Sequence, residues 1–300
     1  MKIFLLVCLL FYTITLADEY EEPNNNKIEL FVVEDTLFGV SLIGNSTPEF
    51  PNYIFRFTDL KRLNIFHCYY KNVPKEIRIC SELEELRVVK CKNLIFKEVL
   101  NNLRDNNKLK KLVFKHYVES IPTEIKYLRN LEELILSHNN IKTIPEEIKF
   151  LDSLKILDLL NNDLQYVPNS VFKLKKLKKI ILEGNHITDL KTGSVNNTNI
   201  EIISLANNNL KKIPNGLEKL KGLRVLNLSE NKELKFDSIC TLVKELPNLR
   251  ILTLYKCEIN NIPDNIENLS NLKIIYIISP SMDEEILKKL KSILKNVHIL

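Results

Sequence analysis

The chain has 300 residues, of which 45% are hydrophobic and 27% charged, a balance typical of a globular protein and too apolar for a disordered one. Its formal net charge of +5 at pH 7 is mild, whereas a dedicated nucleic-acid-binding protein would be strongly basic on one face. Only 6 glycines occur, and the chain contains neither a GxGxxG nor a GxxxxGK[ST] phosphate-binding motif.

Residues 1–17 have the layout of a secretory signal peptide. Lys2 precedes an apolar stretch over residues 3–16, and the small residues Thr15 and Ala17 stand at the positions that define cleavage before Asp18. An uncleaved anchor is the alternative, but the apolar run is shorter than the ~20 residues of a membrane-spanning helix. We therefore expect a secreted or secretory-pathway protein with no membrane span in the mature chain.

After this segment, residues 18–59 are predicted to form an N-terminal cap, with strands over 27–33 and 38–44. A phrase of the form Leu-x-x-Leu-x-Leu then recurs at steps of 22, 23 or 26 residues. Its starting residues are Leu60, Leu83, Leu109, Leu131, Leu154, Leu177, Ile200, Leu223, Leu249 and Leu272. Recurrence at a near-constant interval indicates a repeat architecture, because a catalytic motif normally occurs once.

Each unit predicts a short strand followed by a turn. Leu134 and Leu136 flank Ile135, so a period of two places both leucines on one face. One coil cannot bury this face alone, so neighbouring coils must stack and set their strands side by side. A polar residue buried at the turn must satisfy backbone groups there. The turn column reads Cys68, Cys91, Tyr117, Asn139, Asn162, Asn185, Asn208, Asn231 and Cys257.

Tyr117 departs from this column and lies in the only 22-residue unit, so we expect a local distortion there. The two 26-residue units carry apolar residues at helical spacing after Phe96 and Phe236, which predicts helices in their outer legs. In six of the other units a proline of an IPxxI-type phrase fixes the chain after the turn and favours a short extended or 3₁₀ leg. These prolines are Pro74, Pro122, Pro145, Pro168, Pro214 and Pro263.

The pattern L-x-x-L-x-L-x-x-N/C-x-L resembles the leucine-rich repeat, and the resemblance covers Leu60 to about Pro280. It implies an α/β solenoid, a horseshoe with a parallel concave β-sheet and short 3₁₀, extended or helical convex legs. We expect about ten repeats over residues 60–282 and a C-terminal capping helix over residues 283–300, since an open solenoid end must be covered. The repeats are similar to the 23-residue class of many signalling scaffolds.

No chemistry is predicted from the remaining motifs. The five cysteines outside the signal segment are scattered and lack a CxxC pair, so they indicate neither a disulfide framework nor a zinc site. His116 and His138 fall in adjacent coils, but no third ligand stands between them in that column. With no G-x-S-x-G or HExxH motif present, we predict a protein that is not an enzyme and has no metal or cofactor.

The candidate binding residues face outward from the concave strands, at the third, fifth and seventh positions of each unit. The first three coils are predicted to form a basic end, with candidate contacts Arg62, Phe66, Arg87, Lys111 and Lys115. Later coils present an apolar and aromatic surface, with candidate contacts Ile202, Val225, Ile251, Tyr255 and Tyr276. Such a patch usually marks an interaction site, so we expect a protein partner. Dimerisation through the same face stays open.

Four N-glycosylation sequons occur, at Asn45, Asn196, Asn227 and Asn268. Asn196 and Asn268 take the twentieth position of their units, on the convex leg, and with Asn45 are the candidate acceptors. Asn227 lies on a concave strand, where a glycan would obstruct the groove.

Three functional interpretations follow. The leading one is a secreted or surface-exposed, non-enzymatic recognition protein. The second is an intracellular signalling scaffold, similar to small-GTPase- and phosphatase-associated leucine-rich repeat proteins, which fits the unpaired cysteines and the lack of cysteine-rich caps. The third is an enzyme with a repeat-built specificity domain, and it ranks last because the repeats leave no residues for a catalytic domain.

Overall fold

The computed structural model describes residues 27–33, 36–44, 46–191 and 199–300, so the predicted signal peptide, Asn45 and Asn196 lie outside the described residues. The strands are β1 Lys27–Val33, β2 Thr36–Ile43, β3 Arg62–Phe66, β4 Glu85–Val89, β5 Lys111–Lys115, β6 Glu133–Ile135, β7 Ile156–Asp158, β8 Tyr166–Val167, β9 Lys179–Ile181, β10 Asp189–Leu190, β11 Ile202–Ser204, β12 Val225–Asn227, β13 Ile251–Thr253, β14 Ile274–Tyr276 and β15 His298–Ile299.

Short helical segments connect these strands. The α-helices are α1 Phe96–Asn102, α2 Asn169–Phe172, α3 Phe236–Glu245 and α4 Glu284–Ile293. The 3₁₀ segments are Asn52–Arg56, Lys75–Ile79, Thr123–Tyr127, Glu146–Phe150, Leu217–Lys219 and Ile266–Asn271. As predicted, α1 and α3 belong to the two 26-residue units, and Pro74, Pro122 and Pro145 each stand directly before a 3₁₀ segment.

Thirteen of the described strands form one sheet in the order β1-β2-β3-β4-β5-β6-β7-β9-β11-β12-β13-β14-β15. Only the β1–β2 pair in it is antiparallel, and the others run parallel. The register follows the repeat, since Arg62 lies opposite Glu85 and Glu85 lies opposite Lys111. The predicted solenoid with a parallel sheet is confirmed. β8 and β10 form a separate parallel pair.

The core runs the length of the solenoid between the sheet and the outer legs. One inward leucine or isoleucine per coil, for example Leu134, Leu157 and Ile180, is completely buried against its neighbours in adjacent coils. Because each coil supplies only part of the walls around such a side chain, stacking is what removes it from water.

Asparagine side chains connect consecutive coils at the turn after the strand. The Asn185 Nδ2 group donates to the carbonyl of Leu159 in the preceding coil at 2.9 Å and to that of Leu182 at 3.0 Å. Its Oδ1 atom accepts from the Leu164 N–H at 3.0 Å. Asn139, Asn162, Asn208 and Asn231 repeat this arrangement. Cys68 and Cys91 continue the column, and each Sγ approaches backbone carbonyls at 3.2–3.5 Å.

The predicted distortion at Tyr117 is present. His116 and Tyr117 both have φ near +66°, so two successive residues adopt the left-handed region that side chains disfavour. The Tyr117 side chain is 55% exposed and takes no part in the column. The Asn139 Oδ1 atom of the next coil still accepts from the Val118 N–H at 2.9 Å, the same contact that Asn162 and Asn185 make with the coils before them.

Atypical elements lie at both ends of the described solenoid. At the N-terminal end β2 pairs with β3, and the rings of Phe50 and Phe55 stack with centroids 5.4 Å apart. At the other end the Asp283 carboxylate accepts from the Ile286 N–H at 2.8 Å and begins α4, which buries Leu290. This helix is shorter than the predicted 283–300. The chain after it forms β15, because the edge of β14 offers unpaired backbone groups that β15 can bond.

Candidate binding face

Three rows of side chains cross the concave face because alternate residues of every strand point away from the core. The third-position row is Arg62, Glu85, Lys111, Glu133, Ile156, Lys179, Ile202, Val225, Ile251 and Ile274. The fifth-position row is Asn64, Arg87, Val113, Ile135, Asp158, Ile181, Ser204, Asn227, Thr253 and Tyr276. The seventh-position row is Phe66, Val89, Lys115, Ser137, Leu160, Glu183, Ala206, Ser229, Tyr255 and Ile278.

Carboxylates lie between the cations of the first coils, so this end is less basic than the sequence predicts. The buried Glu85 carboxylate pairs with Arg62 at 2.6 Å through one oxygen and with Arg87 through the other. Lys111 pairs with Glu133 across the same row at 2.6 Å. The prediction considered the cations of this end but not Glu85 and Glu133, which the register places between them. Two carboxylates therefore pair with all three of Arg62, Arg87 and Lys111, which leaves this group with a net charge of +1, and Phe66 lies half-buried beside them.

A buried charge cluster lies in the middle of the face. Asp158 is only 5% exposed, and Lys115 is also buried. Burial raises the pKa of the Asp158 carboxyl, while the Leu160 N–H at 3.0 Å and the positive charges of Lys115 and Lys179 act against this rise. Burial likewise lowers the pKa of the Lys179 ammonium, opposed by Asp158 and Glu133. Lys115 is therefore part of the cluster and not a freely exposed cation.

An apolar strip follows the charge cluster and consists of Leu160, Ile181, Ile202, Val225 and Ile251, which pack against one another on the concave side of the sheet. Ile181 and Val225 are 2% and 6% exposed, so side chains of adjacent coils cover them. Leu160, Ile202 and Ile251 are half-buried. Val225 thus supports the strip from beneath and offers a partner little surface, whereas Ile202 and Ile251 each keep part of their surface open to solvent.

Two tyrosines extend the apolar strip toward the C-terminal coils. The rings of Tyr255 and Tyr276 lie 6.3 Å apart at 44°, a tilted pair of the kind that aromatic rings favour. The Lys256 ammonium lies 4.8 Å from the Tyr255 ring centroid. Ile278, in the same region, is 47% exposed. This end of the face therefore combines apolar surface with two phenol groups.

The two described sequons, Asn227 and Asn268, differ in burial and in position. Asn227 is 7% exposed, donates to the Ser204 hydroxyl at 3.2 Å and accepts from the Ser229 N–H at 3.0 Å. A folded chain cannot present this amide to a glycosylating enzyme. Asn268 lies half-buried in the 3₁₀ segment Ile266–Asn271, on the convex side and away from the binding face.

Among the described residues, the cysteines and histidines form neither a disulfide nor a metal site. All five described cysteines are free and buried, and burial raises the pKa of the Cys80, Cys240 and Cys257 thiols to about 11, 12 and 11. The His116 and His138 rings stack with centroids 5.9 Å apart. Within the described ranges no group of three His, Cys, Asp or Glu side chains is arranged to hold a metal ion.

The described helices are all too short or too polar to cross a membrane.

Comparisons with known proteins agree with this architecture. A family model described as leucine-rich repeat region matches residues 115–242. Among solved structures, a leucine-rich repeat protein of Leptospira interrogans is 21% identical with a TM-score of 0.54, and the match covers 85% of this chain and 82% of that one. No curated protein sequence gives a significant match.

Two further structures share the fold. The ectodomain of the Arabidopsis thaliana receptor kinase GASSHO1/SCHENGEN3, in complex with CASPARIAN STRIP INTEGRITY FACTOR 2, is 20% identical with a TM-score of 0.52. That match covers 88% of this chain but only 35% of the plant chain. An internalin of Listeria monocytogenes is 19% identical with a TM-score of 0.50, and the match covers 77% of this chain and 78% of the internalin.

Proposed function

We propose that this chain, whose residues 115–242 match a leucine-rich repeat model, is a non-enzymatic module that recognises a protein partner on its concave face. The observation that carries the proposal is the partly exposed apolar strip together with the Tyr255–Tyr276 pair. Apolar and aromatic side chains gathered on one solvent-facing surface lower the stability of a free protein in water unless something else covers them.

The tyrosines are the best candidates for the strongest contacts of the interface. Tyr side chains bury a large area, lose little conformational entropy and present a hydroxyl for a hydrogen bond, so they are common among residues that dominate binding energy. Ile202 and Ile251 would supply the apolar surface beside them, and Val225 would hold that surface in place. The flank beside them consists of Phe66 and four cations, Arg62, Arg87, Lys111 and Lys115. These cations would contribute orientation more than affinity, because most of them are already paired with carboxylates.

We further propose that the protein is secreted after cleavage before Asp18. The sequence of residues 1–17 supports this location, and the plant receptor ectodomain gives an example of the same fold that holds a partner outside the cell. The intracellular scaffold is the alternative, and the five free thiols of the described chain favour it. The mass of the N-terminal peptide from native cells distinguishes the two, since the secreted form begins at Asp18 and the scaffold retains Met1.

The binding proposal is tested with a double variant, Tyr255→Ala with Tyr276→Ala. The matched control is Tyr69→Ala with Tyr127→Ala, which removes two exposed tyrosines that lie outside the strands of the concave face. The wild-type protein is first used to capture partners from the compartment in which it is found. The affinity of each captured partner for wild type and for both double variants is then measured by calorimetry.

We expect the Tyr255→Ala/Tyr276→Ala variant to bind its partner about 10- to 100-fold more weakly, since truncation of an anchoring aromatic typically costs about 1–2 kcal/mol or more. The control should change affinity by less than about twofold. If the partner binds both double variants as tightly as wild type, the concave face is not the binding surface.

A further inference from the structure

A basic groove of about 540 Å³ lies on the edge of the solenoid where the strands begin. Five cationic side chains from successive coils line it together with one carboxylate, and these are Lys155, Lys175, Lys176, Lys178, Arg224 and Glu201. The other lining residues are two asparagines and a glycine. The groove lining therefore carries a formal charge of +4, whereas the whole chain carries only +5.

Internal ion pairs account for only part of this charge. Glu201 is shared between Lys178 at 3.2 Å and Arg224 at 4.0 Å, and Lys155 pairs with Glu132 beyond the lining at 2.6 Å. Lys175 and Lys176 are exposed and form no ion pair with any residue in the described part of the chain. Like charges held together repel, so this arrangement does not stabilise the free protein.

The groove borders the apolar strip directly. Glu201 and Arg224 line the groove, and the residues that follow them in the chain, Ile202 and Val225, belong to the strip. Consecutive residues lie about 3.8 Å apart, so a partner seated on the strip also reaches the groove. One ligand can therefore contact an apolar and a cationic surface together.

We propose that the groove binds an acidic stretch of the same polypeptide partner whose apolar side chains cover the strip. This inference rests on the proposed function, since the partner on the strip is a protein. The described residues of the groove lining include no aromatic side chain on which bases could stack, which disfavours single-stranded nucleic acid. Its concave shape also disfavours a flat lipid surface, whereas an extended run of Asp and Glu can follow the cations of successive coils.

The test measures binding of fluorescent oligoglutamate to the full protein by anisotropy at low salt. The groove variant is Lys175→Gln with Lys176→Gln, which removes the two unpaired cations without breaking an ion pair. The matched control is Lys71→Gln with Lys92→Gln, because these lysines are also exposed and unpaired in the described chain but lie in the first coils, far from the groove. Both variants lose the same charge.

We expect oligoglutamate to bind wild type in a salt-dependent manner and the groove variant about tenfold more weakly. The control should differ from wild type by less than about twofold, and oligoglutamine should not bind. Equal losses in the two variants would mean that only net charge matters and would overturn the proposal. So would a preference for heparin, oligo-dT or phosphatidylserine vesicles over oligoglutamate that depends on Lys175 and Lys176, because each would identify a different occupant.

The same assay keeps the two proposals separate. Tyr255→Ala with Tyr276→Ala leaves the groove intact and should bind oligoglutamate as wild type does. If that variant also keeps its affinity for the native partner, the proposed role of the two tyrosines in binding fails, while the result for the groove stands. If the groove variant binds oligoglutamate as tightly as wild type does, only the inference about the groove fails.

Discussion

Replacement of Asn185 by alanine tests whether the asparagine column holds the coils together. The Leu164 N–H loses its partner completely, because Asn185 Oδ1 is its only acceptor among the described residues. The carbonyls of Leu159 and Leu182 each lose one donor but keep another, from Asn162 and Asn208. A buried N–H without a partner costs about 1–3 kcal/mol, and each lost hydrogen bond to a carbonyl about 1 kcal/mol.

The free energy of unfolding should therefore fall by about 4 kcal/mol in Asn185→Ala. Asn185→Cys should lie between this variant and wild type, because Cys68 and Cys91 show that a thiol at this position reaches the same kind of carbonyl at 3.2–3.5 Å. Asn140→Ala is the control, since Asn140 is exposed and its side chain makes no hydrogen bond in the described chain. It should change stability by less than about 0.5 kcal/mol.

Urea titration followed by circular dichroism measures all three variants, with the free energy obtained by linear extrapolation. A loss below about 1 kcal/mol in Asn185→Ala would refute the reasoning, because it would mean that water or backbone adjustment replaces the amide. An equally large loss in Asn185→Cys would show that size and not hydrogen bonding selects asparagine or cysteine here.

Two further predictions follow from buried groups. Because burial raises the pKa of Asp158 above its unfolded value of about 3.9, its protonated form contributes stability below that value, and this contribution is lost as the pH rises through the folded pKa. Wild type should therefore lose stability relative to Asp158→Asn when urea midpoints are compared from pH 4 upward, and parallel curves would contradict this assignment. The second prediction concerns the five buried thiols, in a protein that lacks residues 1–17 and therefore Cys8. In the folded state these thiols should not react with Ellman's reagent at pH 8, because they are buried, and all five should react in urea. Rapid labelling of one thiol in the native state would show that its coil opens readily.

The repeat made most of the fold predictable. Each coil must bury the same set of leucines and satisfy the same turn, so the spacing determined the strand register, the asparagine column and the distortion at Tyr117. The helices α1 and α3 were also predicted, because apolar residues at helical spacing extend over several turns in the longer units. β15 was not, since its two residues, His298 and Ile299, are too few to show a pattern.

The binding face was predictable in position but not in detail. Glu85, Glu133 and Asp158 occupy the same rows as the candidate contacts, so the register could have located these acidic residues. The burial of Ile181 and Val225 could not be read from their own coils, because side chains of adjacent coils cover them. The basic groove was missed because its residues precede the strands and come from successive units, spread over residues 155–248 of the chain.

The constant strand register also gives the binding face a defined length. The apolar strip covers five coils, from Leu160 to Ile251, and parallel strands are spaced about 4.8 Å apart, so the strip is about 19 Å long. A partner helix needs about thirteen residues to cover that distance, and an extended segment needs about six. Insertion or removal of one complete coil would change this length by a single strand spacing, so the repeat number itself determines how long a matching segment must be.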